Sequence, residues 1–219
     1  MDEVNSSYVR DLVNRTVASL EKRGFKALSA GSGAEARDAV LGMIVPGSTV
    51  GVGGSVTVRE IGLVEALQSR GHKIYQRWGT PVSQGTPASQ ADDFDYRRAQ
   101  LTCDVFLSSS NAVTVEGELV NVDGIGNRVA SMIFGPRKVI VVAGWNKIVP
   151  DVNAAIQRIR TVAAPLNAKR LELKVPCART GYCTDCDAPD NMCRVTSIIS
   201  WKPRRTDLSV VLVEEKLGY

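Results

Sequence analysis

The chain has 219 residues, 44% of them hydrophobic, which is enough for one substantial core with an appended element. Its net charge of +4 and its aromatic content of 5% both argue against a nucleic-acid-binding protein. The single histidine, His72, excludes mechanisms that need two histidines. The first residues are acidic and polar and no apolar run reaches eighteen residues, so we predict a cytoplasmic protein with no membrane partner.

Helical and strand patterns alternate along the chain, which predicts an α/β fold, a layered sheet with helices on both faces. Helices are predicted at 9–20, 34–44, 58–67, 92–101, 127–134 and 152–163, the last ending at Pro165. Strands are predicted at 25–30, 49–52, 73–78, 104–107, 138–143, 195–201 and 208–213, with a hairpin over 113–122 that turns at Glu116-Gly117. We expect residues 1–173 to form the core, and 174–219 to form a cysteine loop and closing strands packed on it.

The segment 79–90 is rich in Gly, Pro, Ser, Thr and Gln. This composition predicts a long loop, of the kind that can act as a lid over a site.

Four of the five cysteines lie within seventeen residues, as Cys177, Cys183, Cys186 and Cys193. Four thiolates are the ligand set of an iron–sulfur cluster or a structural zinc. Only Cys183 and Cys186 have the Cys-x2-Cys spacing, so neither the zinc-ribbon nor the ferredoxin pattern fits completely. We predict a 4Fe–4S cluster, with zinc as the alternative and disulfides or metal-free thiols as the third interpretation. The fifth cysteine, Cys103, is predicted to be a core residue.

Basic residues surround this loop, and we expect them to lower the pKa of the thiols. They are Lys174, Arg179, Arg194, Lys202, Arg204 and Arg205.

A glycine-rich loop, Gly51-Val52-Gly53-Gly54-Ser55, joins a predicted strand to a predicted helix. Backbone N–H groups at such a junction can hold a phosphate or carboxylate. The third glycine of a dinucleotide fingerprint is missing, and the loop is not a Walker A sequence. Thr57 and Glu60 also match a T-x-x-E capping box, which would explain both without a ligand. The sequence leaves these two interpretations open.

Five segments together resemble the lactate-utilisation (LUD) domain family, over about residues 5 to 215. They are Gly53-Gly54-Ser55-Val56-Thr57-Val58-Arg59-Glu60-Ile61-Gly62, Asn111-Ala112-Val113-Thr114, Glu118-Leu119-Val120-Asn121-Val122-Asp123-Gly124, Gly126-Asn127-Arg128 and Asn146-Lys147-Ile148-Val149. The cysteine loop resembles a subgroup of that family found in anaerobes, and simpler members lack it. The resemblance implies a fold similar to the ribose-5-phosphate isomerase, glucosamine-phosphate deaminase and CoA-transferase group, with ligand sites at the carboxyl ends of strands. It also implies a place in bacterial lactate oxidation to pyruvate, beside iron–sulfur or flavin redox subunits.

Mapped onto this sequence, the resemblance implies a pocket for a small anionic ligand, a carboxylate or phosphate. Arg128 and Lys147 are expected to neutralise the ligand, and Glu60 or Glu116 is the candidate catalytic acid, base or nucleophile. Taken singly, these residues are also ordinary turn and cap residues. The predicted pocket residues are Gly53, Gly54, Ser55, Thr57, Glu60, Asn111, Glu116, Asp123, Asn127, Arg128, Asn146 and Lys147.

Three functions follow as hypotheses. The first is an accessory redox or ligand-binding protein of lactate and organic-acid metabolism that carries an iron–sulfur cluster. The second is a CoA- or phosphosugar-type transferase or isomerase, in which Glu116 reacts and zinc only stabilises the loop. The third is a purely structural subunit.

Overall fold

A computed structural model of the chain describes residues 3–76 and 90–219, without the side chains of 90–93. The predicted loop at 79–90 lies outside the described residues except for Gln90, which begins a helix. The helices are α1 (Glu3–Lys22), α2 (Gly33–Gly42), α3 (Val56–Glu60), α4 (Leu63–Ser69), α5 (Gln90–Thr102), α6 (Asn127–Ile133), α7 (Val152–Arg158), α8 (Ala164–Arg170) and α9 (Pro176–Thr180). The strands are β1 (Lys26–Ala30), β2 (Val50–Val52), β3 (Ile74–Tyr75), β4 (Val105–Ser108), β5 (Ala112–Thr114), β6 (Leu119–Asp123), β7 (Lys138–Gly144), β8 (Ile148–Val149), β9 (Val195–Ile199) and β10 (Asp207–Val213).

Six strands form a parallel sheet in the order β1-β10-β7-β4-β2-β3. Its central strands β10, β7 and β4 are almost completely buried along their length. Such continuous apolar runs are typical of parallel strands covered on both faces.

Helices cover both faces of this sheet. On one face α2, α3 and α4 supply residues such as Val40, Val58 and Leu67 to a core with β2, β4, β7 and β10. On the other face α1 contributes Val9, Val13 and Leu20 from one side of its helix. The predicted α/β class is therefore confirmed.

A second, mixed sheet of four strands in the order β8-β5-β6-β9 packs beside α1. One of its faces joins the core of α1 through Val113, Leu119 and Ile199. The opposite face packs Ala112 and Val120 against the helices that follow β8. The sequence predicted the β5–β6 hairpin but not that it belongs to a separate sheet.

The predicted boundary at residue 173 needs correction, because β10 lies between β1 and β7 inside the parallel sheet. Residues 174–219 therefore complete the core rather than only packing on it. The two predicted closing strands also separate, since β9 is an edge strand of the mixed sheet. Sequence order does not determine lateral order in a sheet, so the strand pattern alone could not place them.

Two helices of the structure differ from their predicted bounds. The helix expected at 58–67 is interrupted at Gly62, which has a left-handed backbone (φ 69°) between α3 and α4. The helix expected to end at Pro165 instead continues through a π-helical turn, Ile159–Ala163, into α8. Pro165 lies directly after this π-helical turn, at the start of α8. Among the described residues, no helix is both long and apolar enough to cross a membrane.

Candidate functional site

A cavity of about 660 Å³ opens at the carboxyl ends of β2 and β4. The loops after these two neighbouring parallel strands, 53–56 and 109–111, line one side of it. Lys147, in the turn after β7, also lines the cavity. Ligands of open parallel sheets bind in crevices outside the carboxyl ends of the strands, so this cavity is the candidate site.

The glycine-rich loop forms the upper edge of the cavity and caps α3. The Ser55 hydroxyl accepts from Val58 N at 3.2 Å, so Ser55 is the N-cap. A Cβ added to Gly53 would lie 3.3 Å from both Arg128 Cγ and Phe106 Cζ, whereas one added to Gly54 would meet open space. The close packing at Gly53 keeps the loop against the floor of the cavity.

The capping-box interpretation of Thr57 and Glu60 is wrong, because Ser55 begins α3. The Thr57 hydroxyl lies 2.9 Å from Lys147 Nζ and donates to the carbonyl of Leu217. Glu60 accepts from Gly218 N at 2.6 Å. Both side chains thus form hydrogen bonds with residues that are distant in the sequence.

Asn146 and Glu60 hold the 217–218 segment next to the cavity. Asn146 Oδ1 accepts from Leu217 N at 3.0 Å, and Asn146 Nδ2 donates to Gly218 O at 3.2 Å. Asn146 and Glu60 are absent from the cavity lining, so these two predicted site residues position the backbone beside it.

Arg128 is enclosed by acceptors and its guanidinium organises the floor of the cavity. It pairs with Asp123 at 3.3 Å and donates to the side-chain oxygens of Asn121 and Asn111 at 2.7 and 3.1 Å. It also donates to the carbonyls of Ser109 and Val122. Burial lowers the pKa of Arg128, while Asp123 opposes that shift. The donors of Arg128 are engaged by protein acceptors, so the expected neutralisation of a ligand by Arg128 would act through its charge, and it stays a prediction.

Asp123, Asn111 and Asn127 all line the cavity but also serve the fold. Asp123 Oδ1 accepts from Ile125 N and Gly126 N at the entry to α6. Asn111 Oδ1 accepts from Val122 N at 2.9 Å. Asn127 donates to Gln100 Oε1 at 3.1 Å, and Gln100 in turn bonds the carbonyl of Val52. The polar network therefore ties the loops after β2, β4 and β6 into one rigid wall.

Lys147 is the buried ammonium of the site, with 3% of its surface exposed. Its Nζ lies 2.9 Å from Thr57 Oγ1 and 3.0 Å from Ser109 Oγ. Burial, together with the charges of Arg158 and Arg128 and against the opposing effect of Glu60, lowers the pKa of Lys147 to about 7. A lysine in a cavity with such a pKa can act as a base or a nucleophile at neutral pH.

Glu116 lies outside the cavity lining, on the exposed turn of the β5–β6 hairpin. Its carboxylate forms a surface ion pair with Arg15 at 3.6 Å, and its carbonyl accepts from Arg23. The structure therefore gives no support to Glu116 as a catalytic residue. A turn glutamate can point to either side of a hairpin, and only the packing against α1 decides which.

Sequence reasoning missed Ser109 and Arg158, and it left Asn121 out of the predicted pocket. Ser109 is buried beside Lys147 at the end of β4, and Arg158 donates to the carbonyls of Asn146 and Asn111. Asn121 is fully buried, and its Nδ2 has no hydrogen-bond partner among the described residues. The run of three serines at 108–110, directly after an apolar strand, was the available signal for Ser109.

The four clustered cysteines are free thiols in the structure, with Cys177 on α9 and the others in the loop that follows. Burial raises the pKa of Cys177 and of Cys193, and nearby thiolates of the same group raise both further. This contradicts, for these two thiols, the expectation that basic neighbours lower the pKa. Cys103 is buried in the core as predicted, and burial raises its pKa to about 11.

Cys177 and Cys193 lie close enough to the other thiols of the loop for their charges to raise the pKa of both. Among the described residues, however, no three His, Cys, Asp or Glu side chains are already gathered as a metal site. The donor set therefore fits a soft metal or an iron–sulfur cluster in its chemistry, without a formed ligand sphere.

The cysteine loop packs against residues that line the cavity. Asn191 donates to Cys186 O at 2.7 Å and accepts from Cys193 N at 2.6 Å, which folds the loop between these cysteines. Arg194 N donates to Asp123 O at 3.1 Å, and Met192 approaches Gly124 closely. As a result, Asp190, Asn191, Met192 and Arg194 form part of the cavity wall.

Comparison with known proteins agrees with this architecture. A family model described as LUD domain matches residues 13–213. The fold is similar to the crystal structure of a DUF162 family protein from Deinococcus radiodurans, with a TM-score of 0.53 and 15% identity, over 94% of this chain and 98% of that chain. At this identity the likeness concerns the fold alone. No curated protein matches the chain.

Proposed function

Because the chain belongs to the LUD domain family, which is associated with lactate utilisation, we propose that it binds a small organic acid beside an iron–sulfur cluster. In this proposal it is an accessory redox or ligand-binding protein of lactate and organic-acid metabolism, of the cysteine-containing subgroup. The cavity at the β2 and β4 ends takes the ligand, and Cys177, Cys183, Cys186 and Cys193 hold a 4Fe–4S cluster.

One observation carries the proposal: the segment between Cys186 and Cys193 lines the same cavity as Lys147. A cluster on this loop would lie next to a ligand in the cavity. A merely structural loop would have no need to contribute Asp190, Asn191 and Met192 to the cavity wall.

The charge of the cavity supports an anionic ligand. Lys147 lines it, and the guanidinium groups of Arg128 and Arg158 act on the Lys147 ammonium from nearby. A bound carboxylate would offset this concentration of positive charge, and it would favour the protonated form of Lys147.

The cluster, when bound, would accept or donate single electrons. The chain would supply the four sulfurs and the wall that separates them from the ligand. Because burial and neighbouring thiolates raise the pKa of Cys177 and Cys193, metal binding must displace protons from them. Metal affinity should therefore fall as the pH is lowered. Partner iron–sulfur or flavin subunits would exchange electrons with the cluster.

Iron, zinc and sulfide analysis of anaerobically purified protein tests the cluster. We expect iron and sulfide with a broad visible absorption, and their loss in the double variant Cys183→Ala, Cys186→Ala. The matched control is Cys103→Ala, because Cys103 is a core residue outside the loop. Zinc without sulfide in the wild-type protein would reject the cluster and leave only the structural-metal alternative.

Titration calorimetry with lactate, pyruvate, CoA and sugar phosphates tests the ligand class. We expect lactate or pyruvate to bind, and Lys147→Met to bind roughly tenfold or more weakly because it removes the buried positive charge. The exposed Lys22→Met serves as the control. Binding of none of the four compounds would favour a structural subunit instead.

The transferase or isomerase alternative depended on Glu116. That residue lies on an exposed turn outside the cavity lining, so no observation favours this alternative. Tight binding of CoA or a sugar phosphate without binding of lactate or pyruvate would revive it.

A further inference from the structure

Lys147 is placed between two hydroxyl groups at the wall of the cavity. Thr57 Oγ1 and Ser109 Oγ lie 2.9 and 3.0 Å from its Nζ, and all three side chains are buried. Gly218 closes one side, since a Cβ there would lie 3.2 Å from Nζ and 2.5 Å from Thr57 Oγ1. Lys147 is also one of the residues that line the cavity.

The hydrogen bonds of the two hydroxyl groups determine whether they donate to the amine or accept from it. Thr57 Oγ1 donates to the carbonyl of Leu217, and Ser109 Oγ donates to the carbonyl of Ser110, each at 3.3 Å. A carbonyl can only accept, so each hydroxyl proton is engaged and each oxygen accepts from Lys147. The nitrogen lone pair of the neutral amine is then left without a donor. In a serine–lysine pair in which lysine is the base, the serine proton would point at the amine instead.

The charges that face Lys147 favour the neutral amine. Arg158 from α7 and Arg128 from α6 oppose protonation, and among the charges that act on it Glu60 from α3 has the smallest effect. Burial acts in the same direction as the arginines and brings the pKa to about 7. A desolvated lysine beside other cations is a known way to make a nucleophilic amine.

We propose that Lys147 is a catalytic nucleophile that captures the carbonyl carbon of an anionic oxo compound, a 2-oxo acid, as an imine. This inference rests on the proposed function, because it requires that the cavity accept a small organic anion. It assigns a substrate class to the site. The carboxylate of the substrate would interact with the positive surroundings, and its adjacent ketone carbon would react with the amine.

The step balances without an added oxidant or reductant. The lone pair of Nζ forms a bond to the carbonyl carbon, the carbonyl π electrons move to oxygen, and that oxygen takes a proton. Loss of one water from the resulting carbinolamine then gives the imine, and nitrogen releases its remaining proton. The hydroxyl oxygens of Ser109 and Thr57 accept from the amine and hold it in place, while solvent supplies and takes up these protons.

Reductive trapping tests the imine. Wild-type protein is incubated with pyruvate and cyanoborohydride, which adds hydride to the imine carbon while water supplies a proton to nitrogen. The expected product is a single adduct on Lys147, found by peptide mapping, with the mass of pyruvic acid less one oxygen atom. Lys147 should react at least about tenfold faster than the exposed Lys22. Lactate, which has a hydroxyl group in place of the ketone, should slow the reaction by competition.

The pH profile of trapping and the variant Ser109→Ala supply a second measurement. With pyruvate well below saturation, where the ligand-free pKa of about 7 governs the reaction, trapping at Lys147 should rise between pH 6 and 8 and then level off, whereas trapping at Lys22 should continue to rise to higher pH. Ser109→Ala should slow trapping roughly a hundredfold with little change in pyruvate affinity, because it removes one of the two hydroxyl oxygens that orient the amine. Circular dichroism of Ser109→Ala checks that it folds, and the exposed-residue variant Lys22→Met should keep wild-type trapping at Lys147.

The outcomes separate this inference from the proposed function. Specific trapping at Lys147 supports both. Pyruvate binding by calorimetry, with Lys147 trapped no faster than Lys22, overturns the imine and leaves the ligand site intact. Absence of binding by both pyruvate and lactate overturns the ligand site and the imine together.

Discussion

At the scale of single residues, Arg128 and Lys147 carry the same charge but are held differently. Arg128 donates to five acceptors in β6 and in the loop after β4, so its guanidinium is part of the scaffold. Lys147 contacts two hydroxyl oxygens whose own protons are used elsewhere. The rigid arginine network thus defines the cavity, and the lysine is the side chain whose protonation can change within it.

The stability of the protein should depend on pH through Lys147. Its folded-state pKa of about 7 lies below the ordinary value of roughly 10.4 for the unfolded chain. Between these values the unfolded state binds a proton that the folded state does not, so its contribution to stability is full above the unfolded pKa and is lost as the pH falls toward 7.

Lys147→Met tests this dependence, because it removes the titrating group and keeps the length of the side chain. The free energy of unfolding of Lys147→Met minus that of wild type should be larger at pH 7 than at pH 10, by a few kcal/mol, because only the wild type loses stability as the pH falls. Urea unfolding of both proteins at each pH measures the difference. A difference that does not change with pH would mean that the amine titrates at its ordinary pKa.

The sequence identified much of this site but not the roles of its residues. Gly53, Ser55, Asp123 and Lys147 were predicted from their motifs and do line the cavity. Glu116 was misplaced and Ser109 was missed, because a motif states which residues are near one another along the chain. It does not state which way a turn side chain points or which distant hydroxyl meets an amine.

At the scale of elements, the β5–β6 hairpin shows how a turn is held by its neighbour. Gly117 has a left-handed backbone (φ 87°), and a Cβ on it would lie 2.8 Å from the backbone of Ser19 and Leu20 in α1. Arg23 at the end of α1 also pairs with Glu118 at 3.5 Å. The hairpin is therefore attached to α1, which explains why Glu116 faces away from the cavity.

Gly117→Ala should destabilise the protein by at least about 2 kcal/mol, because backbone strain is added to a clash with rigid helix backbone. The matched control is Gly71→Ala, where the backbone is equally left-handed (φ 75°) but a Cβ would meet nothing within 4 Å. The control should cost only the backbone strain, about 1 kcal/mol. Thermal or urea unfolding compares the two variants, and equal losses would show that the approach to α1 does not matter.

At the scale of the whole molecule, the cysteine loop lies between two parts of the core. β9 follows it in the mixed sheet, and β10 then enters the middle of the parallel sheet between β1 and β7. The loop can therefore loosen without releasing the strand that follows it, because β10 is paired on both sides and buried.

Metal removal should therefore act locally. After treatment with a chelator, hydrogen exchange should become faster in residues 177–194, while β10 keeps its protection. Exchange followed by mass spectrometry resolves the two segments, and the Cys183→Ala, Cys186→Ala variant should behave like the chelated wild type without further change on chelation. Faster exchange in β10 as well would show that the loop and the parallel sheet unfold together.

Sequence by itself determined the α/β class, the buried strands β4, β7 and β10, the glycine-rich loop and the clustered cysteines. These features depend on local periodicity, turn chemistry and composition, which are written along the chain. Only the tertiary structure decided that β10 lies at the centre of the parallel sheet, that β5, β6, β8 and β9 form a separate sheet, and that Lys147 meets Thr57 and Ser109. These outcomes depend on contacts between segments far apart in sequence, where burial and hydrogen bonding across the fold select one arrangement among several that the local pattern allows.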